Sequence, residues 1–428
     1  MRTLAALVLL AGIVPIAAQD APSCPPTPTY SPCDLVFELP QTEAAKHPNP
    51  YLSVTLHAEF RSPRHRTFLL NGFYDGGRKF VIRVSPTDAG AWVYRITSNI
   101  AAFDGKSGQF NATDSGHPGF LRVDNVHHWS TTETRKPHLW MGDTCYRMAW
   151  IDRAMFDQII EARAKQKFNH IRALVMSNDD GLRKAFNDSD TPNFEHFREL
   201  DGRIRAANEK GIFVDLVLAA DQNHLADLFP TWQQRERFVR YVASRYSPLA
   251  ITWQGVQEFE EYSDGRASLK EIGTLLKKFD PYNHPRSSHA VTTSGPLLPD
   301  GWMTHTIYQT SDNAVAGIER QLFPVPFVNA EFAYENSGAG ASHKHHVDPE
   351  TFRRLLWHST MNGHYPYFGN TGTYGGRAVQ MDAKFLDSPG ARAMTAWFDF
   401  MSRTRFWELE PFFEVDGGRG LALPGIEY

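Results

Sequence analysis

A chain of 428 residues with formal net charge −4, its acids and bases interspersed, carries no basic footprint for nucleic acid and no lysine-rich stripe for a membrane surface. Its 42% apolar and 13% aromatic content is ample for packed cores, and the length fits one large domain with a smaller companion. Ten Trp and fifteen Tyr offer faces for sugar rings, although such residues more often fill cores and strand faces.

Residues 1–18 read as an export signal: Arg2 gives the positive start, Leu4 to Val14 the apolar stretch, and Ile16-Ala17-Ala18 a small-residue cleavage site. The stretch is too short to span a bilayer, and no later run reaches the roughly 18 apolar residues that would. The mature chain is therefore expected to be secreted or periplasmic, with no membrane span once the signal is removed. Residues 19–33 form a Pro-rich linker, in which an oxidising compartment would join Cys24 to Cys33 as a disulfide. Cys145 then remains as a buried free thiol.

From residue 34 to about 115 the pattern is short alternating runs broken by Gly and Pro. Val54 to Phe60, Thr67 to Phe73, Lys79 to Val84 and Ala91 to Ile96 read as strands of a small all-β, immunoglobulin-like sandwich. After Gly119 strands alternate with amphipathic helices. Leu139 to Gly142 opens the series, followed by strands at His170 to Met176, Gly211 to Leu218, Ala250 to Val256, Ser288 to Thr292, Thr304 to Tyr308, Pro326 to Ala330 and His364 to Phe368. Helices are expected over 152–167, 194–210, 232–246, 268–279 and 349–360. Eight strands with intervening helices predict a (β/α)₈ barrel over residues 119–410. Residues 411–428 read as the start of a curtailed C-terminal β-domain.

Two barrel strands run straight into a carboxylate: Ala250-Ile-Thr-Trp-Gln-Gly-Val-Gln-Glu258 and Pro326-Phe-Val-Asn-Ala-Glu331. Barrel enzymes carry their catalytic groups at the C-terminal strand ends, and breaking a glycosidic bond takes two carboxylates. Glu260 and Glu261 compete with Glu258, and Glu335 with Glu331. Alternation along the strand puts Thr252, Gln254, Val256 and Glu258 on one face. Asp143, Asn178 and Asp179 end the first two strands and could bind sugar hydroxyls, with Asp180 making the same claim. Turn chemistry is the plainer reading of the latter three. Asp221, Gln222 and His224 could line the cleft from the third strand. His305 or Tyr308 could orient Glu331, Trp253 and Trp302 are candidate stacking platforms, and Tyr334 follows the second acid. His343-Lys-His345-His346 sits in a small-residue loop without zinc-ligand spacing, and the Gly-rich run 369–376 lacks the Lys-Ser/Thr of a phosphate loop. No metal or cofactor is expected.

The segment Asn71-Gly-Phe-Tyr-Asp-Gly76 through Gly90-Ala-Trp92-Val-Tyr94 resembles the N-terminal β-sandwich of the DUF5060 type that precedes some secreted glycosidase barrels. Pro137-His-Leu-Trp-Met-Gly-Asp-Thr-Cys-Tyr-Arg-Met-Ala-Trp150 and Asn329-Ala-Glu331-Phe-Ala-Tyr334-Glu335 resemble the apiosidase-like barrel family (DUF4038 type). The resemblance implies a glycoside hydrolase of retaining type acting on polysaccharide or oligosaccharide, with Glu258 as acid/base and Glu331 as nucleophile. One departure is Gln257, where the wider superfamily has Asn to hold the sugar 2-hydroxyl. A rival reading is a carbohydrate-binding or adhesive protein with a degenerate barrel; an Arg clamping either acid would favour it.

Overall fold

The structure, a computed structural model, describes residues 21–309, 314–335, 346–373, 381–412 and 420–422. Residues 1–18, expected to be an export signal, His343 to His345 and most of the C-terminal segment lie outside them. Among the described residues no helix is long and apolar enough to cross a membrane.

The N-terminal region is two facing antiparallel sheets. One has the order Thr27–Pro28, Ser107–Thr113, Gly90–Ser98, Leu56–Arg61, Thr67–Asn71, its outer ladder at Thr27 being parallel; the other has the order Cys33–Glu38, Lys79–Val84, Phe73–Tyr74. Alternation such as that of Gly90–Ser98 buries Trp92, Tyr94 and Ile96 between the sheets and leaves Val93 and Arg95 outside. The stretch expected to be a linker is part of this sandwich. Thr27 and Pro28 pair with Ala112 and Thr113, and the Cys24–Cys33 disulfide is formed beneath them. Local composition argued for disorder there, but pairing to a distant strand satisfies the backbone. Cys145 is buried and free.

The second region is a nearly closed parallel barrel. Its strands are β1 Gly142–Thr144, β2 His170–Leu174, β3 Phe213–Ala219, β4 Ile251–Val256, β5 in two pieces at Arg286–Ser287 and His289–Ala290, β6 Thr306–Tyr308, β7 Phe327–Asn329 and β8 His364–Phe368. Every ladder is parallel; β1 pairs with both β2 and β8, and the ring is bridged at β5, whose first piece pairs with β4 and second with β6. The strands are buried on both faces, as a parallel sheet covered by helices must be. The helices start where the sequence offers caps. Asp152 accepts from Met155 N at 2.9 Å, Thr231 and Gln234 form a reciprocal capping box, and Asp348 precedes Pro349. The first strand begins three residues later than the apolar run predicts. Trp140 packs below it, its ring stacked on His170 at 3.6 Å.

The two regions share buried contacts. Arg83 of the sandwich donates to Asp34 (2.7 Å) and to Asp201 (2.9 Å), while Arg245 of the barrel donates to Asp201 (2.8 Å) and to Asp75 (3.0 Å). Tyr282, in the turn before β5, is 3% exposed and sits in the sandwich core against Phe68 and Phe120; its hydroxyl accepts from Ser85 N at 2.8 Å.

Candidate active site

The C-terminal mouth of the barrel brings Glu258 and Glu331 into one charged neighbourhood. Strand β4 ends at Val256, and Glu258 adopts a left-handed backbone, φ 48 and ψ 57. Simple alternation therefore stops two residues short of it. A residue with a Cβ in that conformation is strained, and such strain persists where the surroundings fix it. Gln309, just past β6, donates Nε2 to Glu258 Oε1 at 2.8 Å. Burial, and after it the charges of Glu331 and Glu261, push the Glu258 carboxyl up to about 7, against the pull of Gln309.

Glu331 lies two residues past β7 and is 2% exposed. Arg172, from the middle of β2, donates Nη2 to its Oε1 at 2.8 Å, and the Tyr146 hydroxyl donates to the same oxygen. Tyr146 in turn receives Arg172 and, at 3.3 Å, Gln257 Nε2. Burial, and then the neighbouring anion, hold the Tyr146 phenol well above its ordinary value, so it remains a donor. Arg172 Nη1 reaches His289 Nδ1 at 3.2 Å, and His289 Nε2 lies 3.9 Å from Glu331 Oε1. Burial, then Arg172, lower the His289 imidazole to about 3, so it is neutral. Tyr334 is buried and close enough to Tyr146 and Glu331 for both to raise its phenol, after burial as the main cause.

Chemically, the mouth holds one carboxyl that keeps its proton near neutrality and one carboxylate facing a guanidinium and a phenol. Such divergence is how two like groups take up acid and nucleophile roles. The competing acids have other work. Glu335 is fully buried and accepts from Asn370 Nδ2 (2.9 Å) and Gly390 N (2.8 Å), fastening the loops after β7 and β8. Glu260 accepts from Val291 N at 3.0 Å. The Asp221, Glu258 and Glu261 carboxylates lie within 4.8 Å of one another, the one such group of metal-capable side chains among the described residues. Their mutual repulsion supports the raised Glu258 carboxyl.

Of the sequence-derived binding residues, Gln257 and Tyr334 join the site, and Asn178 and Asp179 line a neighbouring cavity. Five others lie elsewhere. Asp143 is not at the rim: its side chain points out of the barrel wall and pairs with Arg163 at 2.6 Å, both 1% exposed. His305 precedes β6 and so sits at the barrel's opposite end, between Trp129 and Trp140. Tyr308 bonds His364 Nε2 at 2.7 Å, at the start of β8. Trp302 is core, and its ring fills the space beside Gly273 where a Cβ would fall. Trp253 is core too, donating Nε1 to Asp280 at 3.0 Å. Arg172, Tyr146, His289 and Gln309 were missed. The available signal was Arg172, a full charge inside the apolar run His170 to Met176, which a buried strand does not hold without a partner.

A family model for the apiosidase-like catalytic domain matches residues 124–408, and one for a domain of unknown function, DUF5060, matches residues 27–99. No curated protein matches the sequence. Among solved structures, a protein from Bacteroides vulgatus ATCC 8482 assigned as a glycoside hydrolase is similar over 89% of this chain and 79% of its own, at 18% identity and TM-score 0.78. A family 5 glycoside hydrolase from the same organism is similar over 69% and 74%, at 17% identity and TM-score 0.59. The endo-1,4-β-mannanase of Rhizomucor miehei is similar over 67% and 100%, at 12% identity and TM-score 0.51. These likenesses speak for the barrel; the family match, spanning about two thirds of the residues, speaks for more. The chain belongs to the apiosidase-like catalytic-domain family and is a glycoside hydrolase.

Proposed function

We propose that the protein is an exported, retaining glycosidase acting on plant cell-wall-type polysaccharide or its side chains, with Glu258 as acid/base and Glu331 as nucleophile. The carrying observation is the contrast between the two acids: Glu258 protonated up to about pH 7, Glu331 bonded to Arg172 and Tyr146. In the first step Glu258 gives its proton to the leaving oxygen while Glu331 bonds to the anomeric carbon. In the second, Glu258, now ionised, takes a proton from water, which displaces Glu331 and restores both groups. Gln257 is turned toward Tyr146, so its amide acts on the nucleophile's hydroxyl partner.

The rival reading, a barrel that binds sugar without cleaving it, draws on the Arg172–Glu331 pair, since a clamped acid is a poor attacking group. A nucleophile that has to stay anionic in a buried site needs such a counter-charge too, so the clamp, expected to favour binding, fits both readings. Glu331→Gln decides. Screened on aryl glycosides and neutral and pectic oligosaccharides, the wild type should turn over at least one with retained anomeric configuration by NMR, and the variant should not. Equal turnover by the variant, or inversion, refutes the assignment. A wild type that binds but cleaves nothing favours the rival.

A further inference from the structure

We propose that the cavity beside the carboxylate pair, between the ends of β2 and β3, is a subsite for one neutral sugar unit of an oligosaccharide. This rests on the glycosidase reading. The cavity has a volume of about 330 Å³. That is the low end of the roughly 300–1,000 Å³ typical of small-molecule sites, suited to a single ring rather than a length of polymer. Met176, Ala185, Phe186 and Leu228 supply apolar lining, and Asp180, Lys184, His224 and Asp227 supply polar lining.

The wall of this cavity is joined to the acid. Gln222, on the wall, follows Asp221, whose carboxylate comes within 4.8 Å of Glu258. Asn223 Oδ1 accepts from Ser263 N at 2.7 Å, and Tyr262 donates to Ala220 O at 2.5 Å, so the loops after β3 and β4 are bolted together. Gln222 and Asn223 both take left-handed backbone, φ 57 and 62, unfavourable for two consecutive residues with side chains and characteristic of recognition sites. His224 Nδ1 is buried with no hydrogen-bond partner among the described residues. Burial lowers its imidazole to about 4, so the ring stands on the cavity wall uncharged.

Charge sets the ligand class. Asp179 is balanced by Arg147 at 2.9 Å, leaving Asp180 and Asp227 against Lys184 in the lining. Among the described lining residues there is no Arg to receive a carboxylate by two hydrogen bonds. A uronic acid would meet like charge, whereas a neutral sugar finds acceptors for its hydroxyls.

The test uses the full chain and a Lys184→Met/Asp227→Ala double variant. Substrates are the aryl monoglycoside that the wild type cleaves best and a neutral oligosaccharide ending in the same unit. The variant's kcat/KM for the oligosaccharide, relative to that for the aryl glycoside, should fall about tenfold, the loss of one or two charge-assisted hydrogen bonds. An unchanged ratio overturns the subsite. A second readout needs no turnover: saturation-transfer NMR with methyl pentosides and hexosides against methyl galacturonide. Neutral glycosides binding the wild type and Glu331→Gln but not the double variant support the subsite, even if no substrate is cleaved and the glycosidase reading falls. Preference for the uronide, no binding at all, or neutral binding kept by the double variant overturns it.

Discussion

Gln309 holds Glu258 from across the barrel mouth, Nε2 to Oε1 at 2.8 Å, and this bond opposes every other influence on the acid. It favours the ionised form, while burial and the Glu331 charge favour the protonated one. An acid catalyst works only while it carries its proton. Activity should therefore fall as pH rises through about 7. Gln309→Ala removes the opposing bond and should shift that limb upward by about half to one unit, the equivalent of one hydrogen bond. The kcat/KM–pH profiles of the two proteins check it, and a downward or absent shift contradicts the arrangement.

Tyr146 gathers Glu331, Arg172 and Gln257 on one hydroxyl. Tyr146→Phe keeps the ring under Arg172 but deletes the donor, so kcat should drop about 10- to 100-fold with a smaller change in KM. Steady-state kinetics on any cleaved aryl glycoside reads this, and a pure KM effect would make Tyr146 a substrate contact instead.

The buried charges between sandwich and barrel have a stability signature. Burial pushes the Asp201 carboxyl up, but Arg83 and Arg245 pull it further down, leaving it below its ordinary value. A depressed acid stabilises the fold above its unfolded value, and that contribution fades as pH falls through the folded one. Asp201→Asn should cost about 1–3 kcal/mol near neutrality, because each guanidinium loses one of its two carboxylate partners, Arg83 keeping Asp34 and Arg245 keeping Asp75. The gap to wild type should narrow below about pH 4. Urea unfolding at several pH values measures both.

The Cys24–Cys33 disulfide closes a short loop, with a sequence separation of 9, at the edge of the sandwich. A loop of that length contributes about 2–3 kcal/mol. Cys24→Ser/Cys33→Ser should lower the unfolding midpoint accordingly, and a reductant should do so in the wild type alone.

Much of the architecture could be read in advance because periodicity and caps report locally. The helix over 232–246 and strand β8 fall where the pattern put them, and the family likeness at residues 137–150 and 329–335 agrees with the family found. The pairing of Thr27 with Ala112 could not be read, because it depends on a partner far along the chain. The misplaced rim residues share a second cause. Asp143 and Tyr308 are on the right strands, but which way a side chain points in a strand only three residues long depends on register, and a shift of one reverses it. Arg172 escaped notice because a buried charge is explained only by the groups it meets in space.

Tyr282 bears on how such proteins could be recombined. A phenol rooted in the barrel plugs the neighbouring module, so each half is moulded around part of the other. Exchanging the N-terminal module between relatives would require moving this tyrosine, or its socket, along with it; a barrel cut loose would present a bare aromatic peg to water.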